Sequence, residues 1–325
     1  MGTVETLRAF EQIKLLSDPR RLAILRLLMA GQATLTHLGQ ALGEHPAWVR
    51  HHIKKLEEAG LVEVNEIKVT SGVTEKFYRS RAGAFLIQEM VLPQDTNRPT
   101  VIFSGSHDLA IERLAGQLSP HVNMLTLPVG SLDGLVALRQ GLCNLSGCHL
   151  LDKDGEYNVP FVRHFFPDRP TSLFTLAHRQ QGLLLAPGNP KGIRGVADLA
   201  RPDATFINRQ RGSGTRLWLD ARLHELGIPG EQIRGYENVV STHTECALAV
   251  QRSEADAALG LQAAAFQHGL DFIPLFFERY DLTVPQEQFE AVVPLLDFLQ
   301  SGDFRRDVAS LSGYDTTHTG EQILL

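Results

Sequence analysis

Cysteine is scarce in this chain: three residues in 325, and none before Cys143. That excludes a disulfide-stapled framework and fits a reducing compartment. Long apolar runs are missing too; none approaches the ~18 residues needed to span a bilayer. The segment from Met1 to Leu16 carries charges throughout and lacks the apolar stretch of a signal peptide. Internal repeats and low-complexity tracts are absent. So are the P-loop pattern G-x-x-x-x-G-K-[ST] and the nucleophile elbow G-x-S-x-G. We therefore expect a cytoplasmic protein without a membrane partner.

What the chain does contain is an ordinary globular composition, 43% hydrophobic and 21% charged. At roughly 150 residues per domain, its length makes about two domains. Charge divides it in the same way. Residues 1–90 carry 12 Lys+Arg against 10 Asp+Glu, a net of +2, which leaves −8 for the remainder of a chain whose net charge is −6. A change of sign between the parts suggests different partners. The polar segment Leu92-Pro93-Gln94-Asp95-Thr96-Asn97-Arg98-Pro99 has no periodicity and reads as a linker. Helical patterning precedes it. Short apolar runs alternating with helical stretches follow it, the α/β signature.

In the first part, Leu7, Phe10, Ile13 and Leu16 recur at helical spacing. Ser17-Asp18-Pro19 ends that helix and starts another, whose face carries Leu22, Ile24, Leu25 and Leu28. A third helix is expected from Thr34 to Leu42, stopped by Gly43, and a fourth from Pro46 to Ala59. On the fourth, Val49, Ile53 and Leu56 make one core stripe, and Arg50, His51, Lys54 and Lys55 flank it. Two helices across a tight glycine turn, the second basic on its outer side, describe a helix-turn-helix whose second helix can enter a major groove. Leu61 to Thr70 and Val73 to Ser80 alternate as a hairpin around Ser71-Gly72, bringing Lys68, Lys76 and Arg79. Trp48 suits either stacking on DNA or packing. His37, His45, His51 and His52 have the spacing of surface or groove residues.

The strings S-D-P-R-R-L-A-I-L-R-L-L (Ser17 to Leu28) and H-H-I-K-K-L-E-E-A-G-L-V (His51 to Val62) resemble the ArsR-type winged helix-turn-helix family. The resemblance covers about residues 5–90. It implies binding to double-stranded operator DNA by a homodimer formed through the first and last helices, here Thr3–Ser17 and Arg81–Val91. Trp48, Arg50, His51, Lys54, Lys55, Lys68 and Lys76 are the expected DNA-facing residues. Without cysteine in this part there is no soft thiolate metal site, so any signal enters elsewhere.

After the linker, strands are followed by hydroxyl-bearing turns and helix starts four times. The turns are Ser104-Gly105-Ser106, Gly130-Ser131, Gly212-Ser213-Gly214-Thr215 and Ser241-Thr242. Ser and Thr are good N-caps in any protein. Four such turns, two in each half, also fit a shared anion site, because helix N-termini offer unpaired N–H groups and the positive end of the dipole. Gln180 to Pro190 reads as a crossover into a second lobe, and Asp271–Leu275 with Arg279–Leu282 as the return. The helical tail from Phe289 to Leu311 then packs on the first lobe. A ligand would sit between hinged halves.

The segments G-S-H-D (Gly105 to Asp108), H-L-L-D-K-D-G-E-Y-N (His149 to Asn158), L-A-P-G-N-P-K-G-I (Leu185 to Ile193), N-R-Q-R-G-S-G-T-R (Asn208 to Arg216) and E-R-Y-D-L (Glu278 to Leu282) resemble the type II periplasmic-binding-protein fold, in a branch related to molybdate-binding proteins. The match spans roughly residues 100–318. Such domains occur fused to helix-turn-helix regions or to molybdopterin-biosynthesis enzymes, which implies molybdate or tungstate as ligand. Carried over position by position, the ligand set is Ser104, Ser106 and Ser131 from lobe one, and Ser213, Thr215, Arg216 and Thr242 from lobe two. Related sites often place a Tyr after a strand like Asp256 to Leu261, which has none here; Tyr157 or Tyr280 would substitute. The acidic residues Asp152, Glu156 and Glu245 fit a pure dianion site poorly.

His243-Thr244-Glu245 has the H-x-E spacing of zinc deaminases, but the P-C-x-x-C that they need is missing. Cys143, Cys148 and Cys246 read as buried small hydrophobes. No metal, cofactor or catalytic residue is expected. The expected architecture has three parts: a mainly α winged helix-turn-helix DNA-binding and dimerisation domain (1–92), a linker (93–99), and a two-lobed α/β ligand-binding domain (100–325, lobe two about 185–275). The expected function is a one-component transcriptional regulator sensing a small oxyanion. A sensor of an organic metabolite, an oxyanion carrier, a cofactor-biosynthesis accessory protein and an enzyme acting in the cleft are the alternatives.

Overall fold

The computed structural model describes residues 3–70, 73–87, 90–93 and 97–325. The hairpin turn Ser71-Gly72, Gln88-Glu89 and the linker residues Gln94-Asp95-Thr96 lie outside the described residues. The chain divides into two compact units, Met1–Leu92 and Pro93–Leu325. No helix among the described residues is long and apolar enough to cross a membrane.

The first unit runs β1 (Val4–Leu7), α1 (Phe10–Leu16), α2 (Pro19–Ala30), α3 (Leu35–Leu42), α4 (Pro46–Glu58), β2 (Val62–Thr70), β3 (Val73–Ser80) and β4 (Ala84–Ile87). Local chemistry sets most of these boundaries. Asp18 accepts from Arg20 N–H ahead of Pro19, and Thr34 accepts from His37 N–H. Gly39 lets α3 turn tightly into α4, since a Cβ there would lie 2.6 Å from the Glu44 carbonyl. Ile24, Leu25, Leu28, Leu38, Val49, Ile53 and Leu56 share one core. β2 and β3 pair antiparallel with a register shift between Val64 and Glu66, giving the hairpin.

The ends of this unit differ from expectation. Thr3–Ser17 is not one helix, and a strand replaces helix within Arg81–Val91. Val4–Leu7 is extended and pairs in parallel with Ala84–Ile87. β-branched residues around Thr3 to Thr6 have low helix propensity, and Ala84-Phe85-Leu86-Ile87 supplies a strand for them to pair with. Leu7 is consequently buried while Phe10 is exposed, so the helical stripe drawn through both is broken.

The second unit begins with β5 (Thr100–Gly105), α5 (Leu109–Leu118), β6 (Asn123–Pro128), α6 (Ser131–Arg139), β7 (Leu145–Cys148), α7 (Val159–Phe165) and the long β8 (Thr171–Leu185). The chain then builds β9 (Phe206–Arg209), α8 (Gly214–Glu225), β10 (Val239–Val240), α9 (His243–Gln251), β11 (Ala257–Leu261) and α10 (Gln262–Gln267). It returns along β12 (Asp271–Pro285) and ends in α11 (Phe289–Leu299), α12 (Gly302–Ala309), β13 (Tyr314–Asp315) and β14 (Gln322–Leu324).

The sheet order is β10-β9-β11-β8-β12-β7-β5-β6, with β13 and β14 also on β8. β8 and β12 run antiparallel along their whole lengths and belong to both lobes. Bulges at Pro274/Phe276 and Tyr280/Asp281 bend β12 where the lobes join. β8 is buried over almost its full length, as a strand covered on both faces must be. Lobe one is cored by Phe103, Leu114, Leu282, Leu295 and Phe304, so α11 and α12 pack onto it. Leu183, Phe206, Leu219, Leu223 and Leu259 core lobe two.

Candidate functional site

On α4 of the first unit, Arg50, His51 and Lys54 are exposed and Lys55 is half-buried. Lys54 pairs with Glu58 at 3.7 Å, and Lys68 with Glu66 at 3.5 Å. Lys76 on β3 is exposed. Trp48 is half-buried, its ring centroid 4.3 Å from that of His52 and 6.0 Å from the Arg20 guanidinium above it. His52 is buried instead of facing a groove, and burial holds its imidazole below the ordinary range. It follows Trp48 by one helical turn, which puts it on the flank of the Val49–Ile53–Leu56 stripe.

In the second unit, the four hydroxyl-bearing turns meet where the lobes face each other. From lobe one, Ser106 Oγ lies 2.9 Å from Ser131 Oγ. The Leu132 N–H donates across to the Gly212 carbonyl (3.3 Å), and the His243 N–H donates to His107 Nδ1 (3.3 Å). Gly214 has no room for a side chain: a Cβ would lie 2.3 Å from the His149 carbonyl. The close approach of the two walls depends on that glycine.

Behind the turns stands a buried polar network. Glu278 accepts from Arg179 Nε (2.8 Å), from Gln181 Nε2 (2.7 Å) and, on its other oxygen, from His149 Nδ1 (2.6 Å). His149 Nε2 is 3.0 Å from Ser106 Oγ. Arg179 also bonds Asp108, which accepts from the Tyr314 hydroxyl (2.6 Å). Burial raises the Glu278 carboxyl, but Arg179 and His149 more than reverse this and hold it at about 2. Two carboxylates engage the one Arg179 guanidinium, so this group holds no unpaired cation.

Arg209 and His243 are not closed. Arg209 at the end of β9 is 1% exposed and donates from Nη2 to the Ser241 carbonyl (2.8 Å), while its Nε and Nη1 have no partner. Among the described residues, no carboxylate lies within ion-pairing distance of it. His243 opens α9 fully buried, and both its ring nitrogens are without a partner. Burial, then Arg209, Arg179, His107 and His149, push its imidazole well below the ordinary range. The field at this point is positive.

Of the residues expected to hold a ligand, Ser106, Ser131 and Thr215 stand in the polar cluster, Thr215 accepting from Gln181 (3.1 Å). Ser213 is in the wall, but its hydroxyl is spent as the α8 cap, donating to the Gln210 carbonyl (2.9 Å) and accepting from Arg216 N–H (3.3 Å). Thr242 is spent in a capping box with Glu245. Arg216 turns away: its guanidinium bonds Asp220 (2.8 Å) and lies over the Tyr236 ring. Tyr157 donates to the Phe277 carbonyl (3.2 Å), and Tyr280 to the Ser106 carbonyl (2.5 Å). Ser104 is buried inside β5, its hydroxyl unpartnered. Asp152 is structural, accepting from the Asp154 and Glu156 N–H groups of its own turn. The cysteines are buried, which pushes Cys143 and Cys148 up to about 12 and Cys246 to about 11.

Arg209, His149 and Glu278 lie inside segments marked in the sequence without being singled out, and His243 enters there only through its H-x-E spacing. One signal was legible: Asp220 stands four residues after Arg216, the spacing of a helical ion pair. That pair disposes of Arg216 and leaves Arg209 and Arg211, of which Arg211 is exposed and pairs with Glu237. Beside the cluster, a groove of ≈ 860 Å³ opens past His149 and Gly214. Leu151, Tyr157, Val196, Leu217, Trp218 and Phe276 are among the residues that line it.

Comparison with known proteins follows the same division. Residues 16–65 match a helix-turn-helix domain, and residues 112–300, more than half of the chain, match the PBP superfamily domain. The uncharacterized protein YvgK of Bacillus subtilis (strain 168) is 36% identical over 230 residues, 70% of this chain and 74% of that protein. An uncharacterized protein from the 5′ region of a 2Fe-2S ferredoxin gene of Clostridium pasteurianum is 35% identical over 106 residues, 32% of this chain and 94% of its own. A Clostridium perfringens structure with bound phosphate, assigned to the substrate-binding proteins of ABC transporters, superposes with a TM-score of 0.50 at 16% identity. It covers 65% of this chain and 97% of that one, and at such identity the likeness shows the fold alone.

Proposed function

This chain belongs to the PBP superfamily and carries a helix-turn-helix domain ahead of the binding-protein domain, and from that premise we propose that it is a cytoplasmic one-component transcriptional regulator. Its helix-turn-helix unit binds operator DNA as a homodimer, of the ArsR-type winged class. Its two-lobed unit closes on a small oxyanion, molybdate or tungstate first. Arg50, His51 and Lys54 read the groove, and Lys55, Lys68 and Lys76 contribute affinity and its salt dependence. A second copy would cover Val4, Phe10, Leu86 and Ile87, which are exposed.

The observation that carries the ligand reading is Arg209. A buried guanidinium with two unpartnered nitrogens costs several kcal/mol, and a bound anion offsets that cost. The helix starts around it add N–H groups and dipole ends of the same sign. No catalytic step is assigned to the cleft.

The test is calorimetry of the full chain with molybdate, tungstate, sulfate and phosphate, followed by selection of bound DNA with and without the tightest ion. We expect submicromolar binding of molybdate or tungstate and a change in operator affinity of roughly 5- to 150-fold. The groove beside His149 favours a second reading, an organic acid with its anionic group at Arg209 and its body against Trp218. Binding of aromatic or branched organic acids with no response to inorganic ions would select it. Saturable ion binding without sequence-selective DNA binding would instead indicate a carrier.

A further inference from the structure

Hydrogen-bond bookkeeping in lobe one constrains the protonation state of the ligand. Glu278 is ionised, so the short contact from its Oε2 requires a proton on His149 Nδ1. In the neutral ring Nε2 is then an acceptor, and the Ser106 hydroxyl donates to it. The Ser131 hydroxyl donates to Ser106 Oγ and accepts from the His149 N–H (3.2 Å). Both hydroxyl protons of this wall point back into the protein. What the wall shows a ligand is oxygen lone pairs, which repel an anion.

Resting on the oxyanion reading of the cleft, we propose that His149 couples binding to a proton: each fully deprotonated oxyanion enters together with one proton taken up at His149 Nε2. Protonation reverses the chain. Nε2–H donates to Ser106 Oγ, and the Ser106 and Ser131 protons turn to the ligand. An oxyanion that carries its own proton, such as hydrogen phosphate, meets the lone pairs directly and needs no uptake. His149 is thus a specificity-determining residue, and it makes the affinity for dianions depend on pH.

The groups facing His149 set the direction. Glu278 and Tyr280 come from β12, Arg179 from β8, Arg209 from β9 and His243 from α9. Burial, Arg179 and Arg209 keep the ligand-free ring neutral, against the pull of Glu278. A dianion beside Ser106 raises the proton affinity of the ring. The bound form therefore holds the proton to higher pH than the free form. Dianion affinity rises as pH falls through the bound value, by up to about tenfold per pH unit, and levels off below the free value.

The experiment is calorimetry of the full chain with sodium molybdate between pH 6 and 8, in buffers of different ionisation enthalpy. The ¹⁵N shifts of the His149 and His243 rings are followed in parallel. We expect about one proton taken up per ion and a doubly protonated His149 ring in the complex, with the His243 ring shifts unchanged. Uptake is expected to vanish in His149→Asn, and the ring shifts of the unaltered protein decide the matter if that variant does not fold. Molybdate binding with buffer-independent heat overturns the proton assignment and leaves the oxyanion reading standing. Uptake with an unchanged His149 ring and a newly protonated His243 ring overturns it in favour of His243. No heat with molybdate, tungstate or sulfate overturns both readings together.

Discussion

Lobe one meets the cleft with hydroxyls whose hydrogen bonds close on one another through His149 and Glu278. Lobe two meets it with Arg209 and His243, whose Nε, Nη1 and two imidazole nitrogens have no partners. The walls use the same local part, a strand end turning into a helix start, yet they are electrostatically opposite. In the closed wall Arg179 is matched by Glu278 and Asp108. In the open wall nothing matches Arg209. The first arrangement stabilises the fold at the hinge. The second leaves a buried charge uncompensated, and on the proposed function an anion would restore that stability. An anion site is therefore sought at a buried cation without a bonded carboxylate, since a guanidinium already paired has little left to offer a ligand.

The comparison breaks most severely at Glu278. Glu278→Gln leaves Arg179 with one carboxylate and removes the acceptor of His149 Nδ1–H. Asp108 still balances Arg179, so the expected loss is that of hydrogen bonds to a charged acceptor, about 2–3 kcal/mol of unfolding free energy, read by urea titration. The sign with pH is fixed by the depressed carboxyl. Its stabilisation is fully present above the ordinary carboxylate range and is lost as pH falls toward about 2. The variant should lack this acid limb of the stability profile.

At Arg209 the effect reverses. Arg209→Met removes an uncompensated buried charge and keeps most of the volume, so the ligand-free protein should gain about 1–4 kcal/mol while oxyanion binding falls by more than ~100-fold. A melting curve and a calorimetric titration on the same sample test both halves. A variant that loses stability would show that Arg209 is satisfied in solution and that the walls do not differ as described. The smallest effect belongs to Arg216. Arg216→Ala removes a partly exposed pair with Asp220 and should change oxyanion affinity by less than about threefold. A larger loss would move the ligand toward α8.

Much of the layout was legible in the residues because it is local. The α2, α3 and α4 boundaries follow from Asp18, Thr34 and Pro46, and the four ligand-side turns from Ser and Thr ahead of apolar helical runs. The strand β1 was not legible, because its partner β4 lies about eighty residues away and the four-residue run between Val4 and Leu7 fits a helical stripe equally well. Capping and ligand binding call for the same residues at the same positions, so the sequence does not separate them. Ser213 and Thr242 have the hydroxyls of a ligand shell and the positions of N-caps, and the helices claimed them.

By itself the sequence determined two domains, a basic helix on the helix-turn-helix, two lobes joined by crossing strands, and four helix starts on the cleft side. Periodicity, caps and turn residues act within a few positions, so a linear reading captures them. Only the tertiary structure decided which arginine is buried without a counter-ion and which histidine governs the hydroxyls. His149 and Glu278 are 129 residues apart, and Arg209 stands out because, among the described residues, no carboxylate from any element reaches ion-pairing distance of it. Burial and electrostatic pairing depend on everything that surrounds a group in space, and that surrounding exists only after the chain has folded.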